Sequence, residues 1–271
     1  MNELTPSPRR LAYLRERRRR ERIIRAWQIA VLIAVLGVWE LSTRLGWGDG
    51  FLISSPSRMA ATAARLWREG QLWRHVGTSV LETVIGFTAG TALGTLIAVG
   101  MWWWDTLSRV LDPYLVVLNA LPKTALGPIF IVWMGAGMGA IVTMTLAISL
   151  IVTILNMYQG FQNTDPEKLR LMRTLGASRG QILHLLVFPA NYATLLATLK
   201  VNVGLSWVGV IMGEFLVSRS GLGYLIVYGS QVFNMDLVMA SVLLLAVAAV
   251  VMYRLVLWAE KFLNRILGVM Q

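Results

Sequence analysis

Six stretches of about 20 mostly apolar residues constrain the fold of this chain more than any other feature. A helix of that length crosses the hydrocarbon core of a bilayer and satisfies its own backbone hydrogen bonds there. Only 14% of the 271 residues are charged, against about 25% in soluble domains. The sequence therefore predicts an all-α membrane protein with about six transmembrane helices. The predicted spans are 24–43, 76–103, 111–134 (interrupted by Pro113, Pro122 and Pro128), 138–161, 189–217 and 237–258.

Positive charge is distributed unevenly around these spans. Nine arginines lie within residues 9–25, ahead of the first span, which is typical of a cytoplasmic anchor on anionic lipid rather than of nucleic-acid binding. With the N-terminus inside, the inner segments and Arg254 hold seventeen Lys and Arg, and the outer segments hold six. We therefore expect both termini in the cytoplasm, with tails at 1–23 and 263–271 and a transmembrane domain at 24–262. No A-x-A-like site follows the basic region, which argues against a cleavable signal peptide.

One predicted outer loop, 44–75, carries five arginines and an amphipathic pattern. Ser57 can cap a helix there. The apolar face of that helix would consist of Met59, Ala63, Leu66 and Trp67. We expect this helix to lie in the outer membrane interface.

Glycines recur every four residues in two of the predicted spans. They are Gly86, Gly90 and Gly94 in the second span, and Gly209 and Gly213 in the fifth. Small residues at this spacing allow two helices to approach closely, so we expect tight helix–helix contacts along both stripes.

The residue types that support most catalytic and metal sites are scarce. Cysteine is absent, and the two histidines, His75 and His184, are far apart in sequence. The chain therefore offers no thiolate chemistry, and its residues predict no metal site. A membrane enzyme would need a clustered constellation of His, Cys or carboxylate residues, which the sequence does not display.

The polar, basic segment 164–189 (TDPEKLRLMRTLGASRGQILHLLVFP) separates the fourth and fifth spans. Thr164 and Glu167 have the spacing of a capping box, and Asp165-Pro166 is also a good helix start. Gly176 can supply a left-handed helix stop, and Ser178 can begin a second capping box. We expect two short helices joined at Gly-Ala-Ser, lying along the cytoplasmic surface.

The faces of the first of these helices leave two interpretations open. Leu169, Met172 and Leu175 share one side, whereas Arg170 and Arg173 point elsewhere. The segment is either a solvated loop lying on lipid headgroups or a docking element that fills a groove on a cytoplasmic protein.

The sequence LGASRGQILHLLVFPA at 175–190 resembles the EAA loop of ATP-binding-cassette (ABC) importer permeases. Gly176 is followed by nine residues and then by Leu-Val-Phe-Pro where that loop has I-x-L-P. The E-A-A triplet itself is replaced by Arg170-Leu171-Met172. Three further segments, 54–57 with 70–100, 121–135 and 220–226, are similar to nitrate-, sulfonate- and taurine-type permeases.

The resemblance implies a type I ABC importer permease fold in a bacterial cytoplasmic (inner) membrane, with a cytoplasmic coupling helix. It further implies two cytoplasmic ATPase subunits that carry ATP and Mg, a second permease copy, and a periplasmic or lipid-anchored binding protein. No phosphate-loop motif G-x-x-x-x-G-K-[ST] occurs, which is consistent with a chain that is not catalytic alone and holds no cofactor. The implied coupling residues are Arg170, Met172, Arg173, Thr174, Leu175, Gly176, Ala177 and Ser178.

The resemblance also implies a solute of the sulfonate, taurine, nitrate or bicarbonate class, with a thiamine-precursor-like or riboflavin-like compound as the alternative. A secondary transporter or channel that needs no ATPase is the competing class. Polar residues within spans are candidates for a translocation pathway. They are Asn119, Lys123, Asn156, Asn202, Trp207 and Glu214. Structural alternatives stay open for these residues. Lys123 would bind backbone carbonyls left unpaired by the broken helix, and Asn156 and Asn202 would form interhelical hydrogen bonds. Trp207 would serve packing, and Glu214 would form a gate or a helix contact.

Overall fold

The computed structural model describes residues 8–46 and 54–266, so parts of both predicted tails lie outside the described residues. Within these ranges the chain is a bundle of α-helices. They are α1 (Pro8–Arg44), α2 (Pro56–Arg68), α3 (Gln71–Trp103), α4 (Asp105–Ala120), α5 (Gly127–Met134), α6 (Met138–Gln162), α7 (Pro166–Thr174), α8 (Arg179–Ile182), α9 (Phe188–Ala190), α10 (Tyr192–Val217), α11 (Leu222–Gln231) and α12 (Met235–Ile266). A 3-10 turn at Lys123–Leu126 precedes α5, and a π-helical turn at Leu183–Val187 joins α8 to α9.

Five of the predicted spans are confirmed by length and apolar composition. They correspond to Arg19–Arg44 within α1, to α3, α6 and α10, and to Met235–Phe262 within α12. The predicted third span, 111–134, is interrupted, as its prolines indicate. It belongs to a helix pair bent by 93° at the short break before Lys123.

The three prolines of this segment have different effects because they occupy different helix positions. Pro122 lies in the break itself and has no N–H to continue the α4 ladder. Pro128 lies in the first turn of α5, where an N–H would have no helical partner. Pro113 stays inside α4 without ending it. Only Pro122 therefore interrupts the helix.

The centre of the bundle is formed by α3, α6 and α10. The glycine stripe of α3 faces a stripe of small hydroxyl residues on α6: Gly86 meets Thr145, Gly90 meets Ser149 and Gly94 meets Thr153. Each of these hydroxyls donates to a carbonyl four residues earlier in α6, so none is left unpaired in the contact. On α10, a Cβ at Gly209 would lie 2.7 Å from the Thr145 Cα. The tight contacts predicted from glycine spacing are confirmed.

Replacing Gly94 with alanine is expected to destabilise the bundle. The added Cβ would lie 2.6 Å from the Thr153 Cβ, and overpacking of this kind costs about 1–3 kcal/mol. Gly77 is the matched control, because it lies on the same helix with nothing within 4 Å of its Cβ position. Gly77→Ala should leave stability unchanged or raise it, since alanine favours a helix by about 1 kcal/mol over glycine. Thermal unfolding of the purified protein checks this, and equal midpoints for both variants would contradict the interlocked packing.

Helix α2 forms where the amphipathic pattern predicts it, but its cap and its apolar face differ from the prediction. Ser55, not Ser57, is the N-cap, because its Oγ accepts from the Arg58 N–H at 3.4 Å. Ser57 instead donates its hydroxyl to Glu40 of α1 at 2.8 Å. The buried face consists of Met59, Thr62 and Leu66. It packs on the bundle, whereas Trp67 is exposed; the location in the membrane interface stays a prediction.

Candidate functional site

The segment 164–189 folds into a short, well-capped helical element. Asp165 is the N-cap of α7, and its Oδ1 accepts from the Glu167 N–H at 2.9 Å. The predicted capping box at Thr164 is therefore wrong. Thr164 is buried and its hydroxyl accepts instead from the Asn191 Nδ2 at 2.9 Å. That hydrogen bond joins the two ends of the segment and closes it as one unit on the bundle.

The turn between α7 and α8 follows the predicted chemistry. Gly176 has φ +78°, and its N–H donates to the Arg173 carbonyl while the Ala177 N–H donates to the Met172 carbonyl. This pair of hydrogen bonds is a Schellman motif. Ser178 then caps α8 in a reciprocal capping box with Gln181. The left-handed stop and the second capping box are both confirmed.

One face of α7 packs against the chain's own core, where its apolar side chains are partly buried. Leu169 and Met172 pack on a cluster that contains Ala98 of α3 and Met157 and Phe161 of α6. The sequence placed Leu169, Met172 and Leu175 on one side of the helix. That grouping is wrong, because Leu175 is 73% exposed whereas the other two pack inward. Helix α7 carries leucines on two sides, and the packing selects the Leu169 side as the interior one.

The opposite face of α7 is open. Leu171 is 59% exposed and Leu175 is 73% exposed. Arg170, Arg173 and Thr174 are also exposed. Two large apolar side chains flanked by two cations form a surface that a protein partner can cover, because buried leucines contribute affinity and arginines pair with carboxylates. We call Arg170, Leu171, Arg173, Thr174 and Leu175 the α7 outer face.

The α7–α8 element is hydrogen-bonded to the C-terminal end of α3. The Arg179 Nη1 donates to the Trp103 carbonyl at 2.7 Å, at the C-terminus of α3. A cation at this position also interacts favourably with the helix dipole. A cleft of about 800 Å³ opens beside this contact, lined by Arg173, Asp105 and Tyr158 among others. The α7–α8 element therefore contacts the C-terminal end of α3 directly.

The structure places the predicted pathway residues at separate locations. Lys123 donates through Nζ to the Asn119 carbonyl at 3.1 Å and so ties the bend after α4. Asn156 lines a polar cleft of about 260 Å³ between α6 and α10. Asn202 is fully buried, and its Nδ2 donates to the Thr91 and Thr153 hydroxyls at 3.0 and 2.7 Å. Asn202 therefore links three helices.

Trp207 is buried on the same helix as Asn202. The Trp207 Nε1 and the Asn202 Oδ1 both have no hydrogen-bond partner among the described residues. Buried polar atoms without partners are uncommon and invite an explanation. Both atoms are therefore unsatisfied inside the described bundle.

Glu214 belongs to an interhelical contact at the end of the bundle opposite the α7–α8 element. Its side chain is 2% exposed, one oxygen accepts from the Ser79 hydroxyl, and the other accepts from the Gly223 N–H, each at 2.5 Å. Ser79 also accepts from the Leu222 N–H at 2.8 Å. His75 Nδ1 accepts from the Gly221 N–H at 3.1 Å.

Three consecutive N–H groups at the start of α11 are thus paired with side chains of α3 and α10. Such N–H groups have no partner within their own helix. We call His75, Ser79 and Glu214, together with the N–H groups of 221–223, the α11 latch. The carboxyl of Glu82, also buried, contacts that of Glu214. The sequence interpretation missed Ser79, which no local pattern marks. Glu82, an ionisable residue in the predicted span 76–103, was expected at the membrane interface, whereas the structure buries it.

Gly221 and Gly223 of the α11 latch are required because a side chain at either position would clash with Glu214. Gly221 has φ +123°, and a Cβ there would overlap the Glu214 carboxylate. At Gly223 a Cβ would lie 2.8 Å from the Glu214 Cβ. The segment SGLGYLI therefore needs both glycines in order to bring its backbone against this carboxylate.

Residues 90–268 match the family described as binding-protein-dependent transport system inner membrane component, and the chain belongs to that family. It is the membrane subunit of an ABC importer, with a multi-pass, all-α, type I importer permease fold.

The chain is 29% identical over 192 residues to a formylaminopyrimidine transport permease of Halalkalibacterium halodurans, covering 71% of this chain and 76% of that protein. It is 24% identical over 223 residues to a putative aliphatic sulfonates transport permease of Bacillus subtilis. That match covers 82% of this chain and 81% of the relative. Among solved structures, a methionine ABC transporter in inward-facing conformations matches with a TM-score of 0.62 at 18% identity. That match covers 74% of this chain and 97% of the matched one.

Proposed function

We propose that this chain couples ATP hydrolysis on two separate cytoplasmic ATPase subunits to the import of a small anionic solute. The observation that carries this proposal is the two-sided α7 helix. Leu169 and Met172 anchor it in the core of the permease, while Leu171 and Leu175 are left for a partner. Because Arg179 ties the same element to α3, a force applied to the α7 outer face would reach the spanning helices.

The proposed coupling residues are the α7 outer face together with Met172, Gly176, Ala177 and Ser178, which set its position. Arg170 and Arg173 add positive charge beside the exposed leucines. The surface of the ATPase opposite them should therefore carry carboxylates. ATP and Mg would be bound by that ATPase and not by this chain.

The proposed assembly places two copies of this chain in the cytoplasmic membrane of a bacterium, with a periplasmic or lipid-anchored binding protein outside. Both termini would lie in the cytoplasm, in contact with anionic lipid through the basic tail 1–23. The transmembrane domain would be 24–262, and 263–271 would form the other tail.

The proposed solute is a sulfonate, taurine, nitrate or bicarbonate, as suggested by the relative that is named for aliphatic sulfonates. The relative that is named for formylaminopyrimidine favours a thiamine-precursor-like compound as the second candidate. Asn156, Asn202 and Trp207 are proposed to meet the solute, since Asn156 lines a polar cleft and the other two have buried atoms without partners. Asn119 and Lys123 would shape the bend beside the pathway, and Glu214 would hold its gate.

Uptake by reconstituted protein tests the proposal. The chain is incorporated into liposomes with its cognate ATPase and binding protein, and labelled taurine and butanesulfonate are supplied outside. Uptake should require ATP inside and should stop when the ATPase is omitted. Uptake by the chain alone, driven by an ion gradient, would contradict the coupled mechanism and favour a secondary transporter.

A further inference from the structure

A basic pocket of about 480 Å³ lies at the end of the bundle opposite the α7–α8 element. It is formed by α2, α3, α11 and the start of α12. Because α3 has 33 residues, roughly 50 Å separates its two ends. The volume falls within the range of small-molecule sites, which is about 300–1,000 Å³.

Three arginines from separate elements line the basic pocket. Arg65 comes from α2, Arg74 from α3 and Arg219 from the segment before α11. Glu69 also lines the pocket, but no ion pair joins it to any of the three within the part of the chain that the structure describes. By contrast, Arg58 of the same α2 helix pairs with Asp236 at 2.9 Å. The basic pocket therefore retains an excess of positive charge.

A series of flat rings forms another wall of the basic pocket. His75 and Tyr224 stack at 5.9 Å between ring centroids, and Tyr224 and Tyr228 stack at the same distance. Tyr228 ends the series and is 44% exposed. An open ring at the edge of a cationic pocket can stack on a flat organic group.

We propose that the basic pocket binds a compound with a sulfonate or phosphate group next to a flat ring. The guanidinium groups of Arg65, Arg74 and Arg219 hold the oxyanion, because their planar forks match its oxygens. The exposed face of Tyr228 supports the ring. This site is distinct from the interior positions of Asn156 and Asn202, and it does not depend on the transport function proposed above.

Binding is measured by calorimetry on the full chain in phosphatidylcholine nanodiscs, with benzenesulfonate and inorganic sulfate as probes. We expect saturable binding of benzenesulfonate that weakens about tenfold or more in Arg65→Gln and in Arg219→Gln, since each removes a hydrogen bond between charged groups. Tyr228→Leu should weaken benzenesulfonate but not sulfate.

Arg68→Gln is the matched control, because Arg68 lies on the same helix as Arg65 but does not line the basic pocket. An equal loss of affinity in Arg68→Gln would show that only general surface charge attracts the probe and would overturn the proposal. Absence of saturable binding by the unmodified chain would overturn it as well.

A second set of nanodiscs, containing phosphatidylglycerol, identifies the source of the oxyanion. Undiminished benzenesulfonate affinity would assign the basic pocket to a free solute. Competition by the lipid that disappears in Arg65→Gln would assign the same oxyanion chemistry to a lipid headgroup. No step in these measurements involves transport, so a negative result leaves the proposed importer mechanism unaffected.

Discussion

Replacement of Leu175 by glutamate is expected to release the ATPase subunits and abolish ATP-driven uptake. Leu175 is 73% exposed and lies on the α7 outer face next to Arg173. A charged side chain there is fully solvated in the free permease, so the chain should fold and insert normally. In the complex the same carboxylate would be buried in an apolar contact, which typically weakens an interface by about 2 kcal/mol or more at a central position.

Co-purification of the ATPase with the tagged permease measures this effect, together with ATPase-dependent uptake. Leu175→Met is the matched control, because it keeps the apolar volume and should retain both activities. Undiminished co-purification with Leu175→Glu would show that the α7 outer face is not the docking surface. It would then favour the alternative of a loop that lies on lipid headgroups.

Replacement of Gly221 by alanine is expected to open the α11 latch. The backbone at φ +123° is accessible mainly to glycine, and forcing another residue into such a region costs about 1–3 kcal/mol. The added Cβ would also displace the Glu214 carboxylate. The N–H of Gly223 and the hydroxyl of Ser79 would then be unpaired, at a further cost of about 1–3 kcal/mol.

Thermal unfolding and hydrogen exchange of the α11 amides measure the opening of the latch. Gly204→Ala is the matched control, because Gly204 lies in α10 with nothing within 4 Å of its Cβ position. We expect faster exchange at 222–225 and a lower unfolding midpoint in Gly221→Ala alone. Equal stability and equal exchange in the two variants would contradict the structural role assigned to the latch.

Helix caps illustrate how far local sequence patterns extend. Ser178 and Gly176 act as predicted, because capping boxes and left-handed stops depend on residues within one turn of each other. The cap of α7 differs because two neighbouring side chains could accept the same N–H groups. Asp165 takes them, and Thr164 pairs instead with Asn191, which is 27 residues further along the chain.

The α11 latch could not be predicted from any local pattern. His75 and Ser79 lie 146 and 143 residues before the N–H groups they accept from, at Gly221 and Leu222. Glu214 stood out as an ionisable residue in an apolar span, and the sequence left a helix contact open for it. Which helix it contacts depends on how α3, α10 and α11 pack.

Apolar length and charge placement in the sequence alone determined the membrane class and five straight spans, because the transfer of about 20 apolar residues into a bilayer depends on composition and hardly on neighbours. The glycine spacing likewise indicated where helices approach closely. Tertiary packing decided that Leu171 and Leu175 face outward while Leu169 and Met172 pack inward. It also decided the partners of Glu214. These features depend on contacts between helices distant in sequence, and a periodic pattern specifies the faces of a helix without specifying what covers each of them.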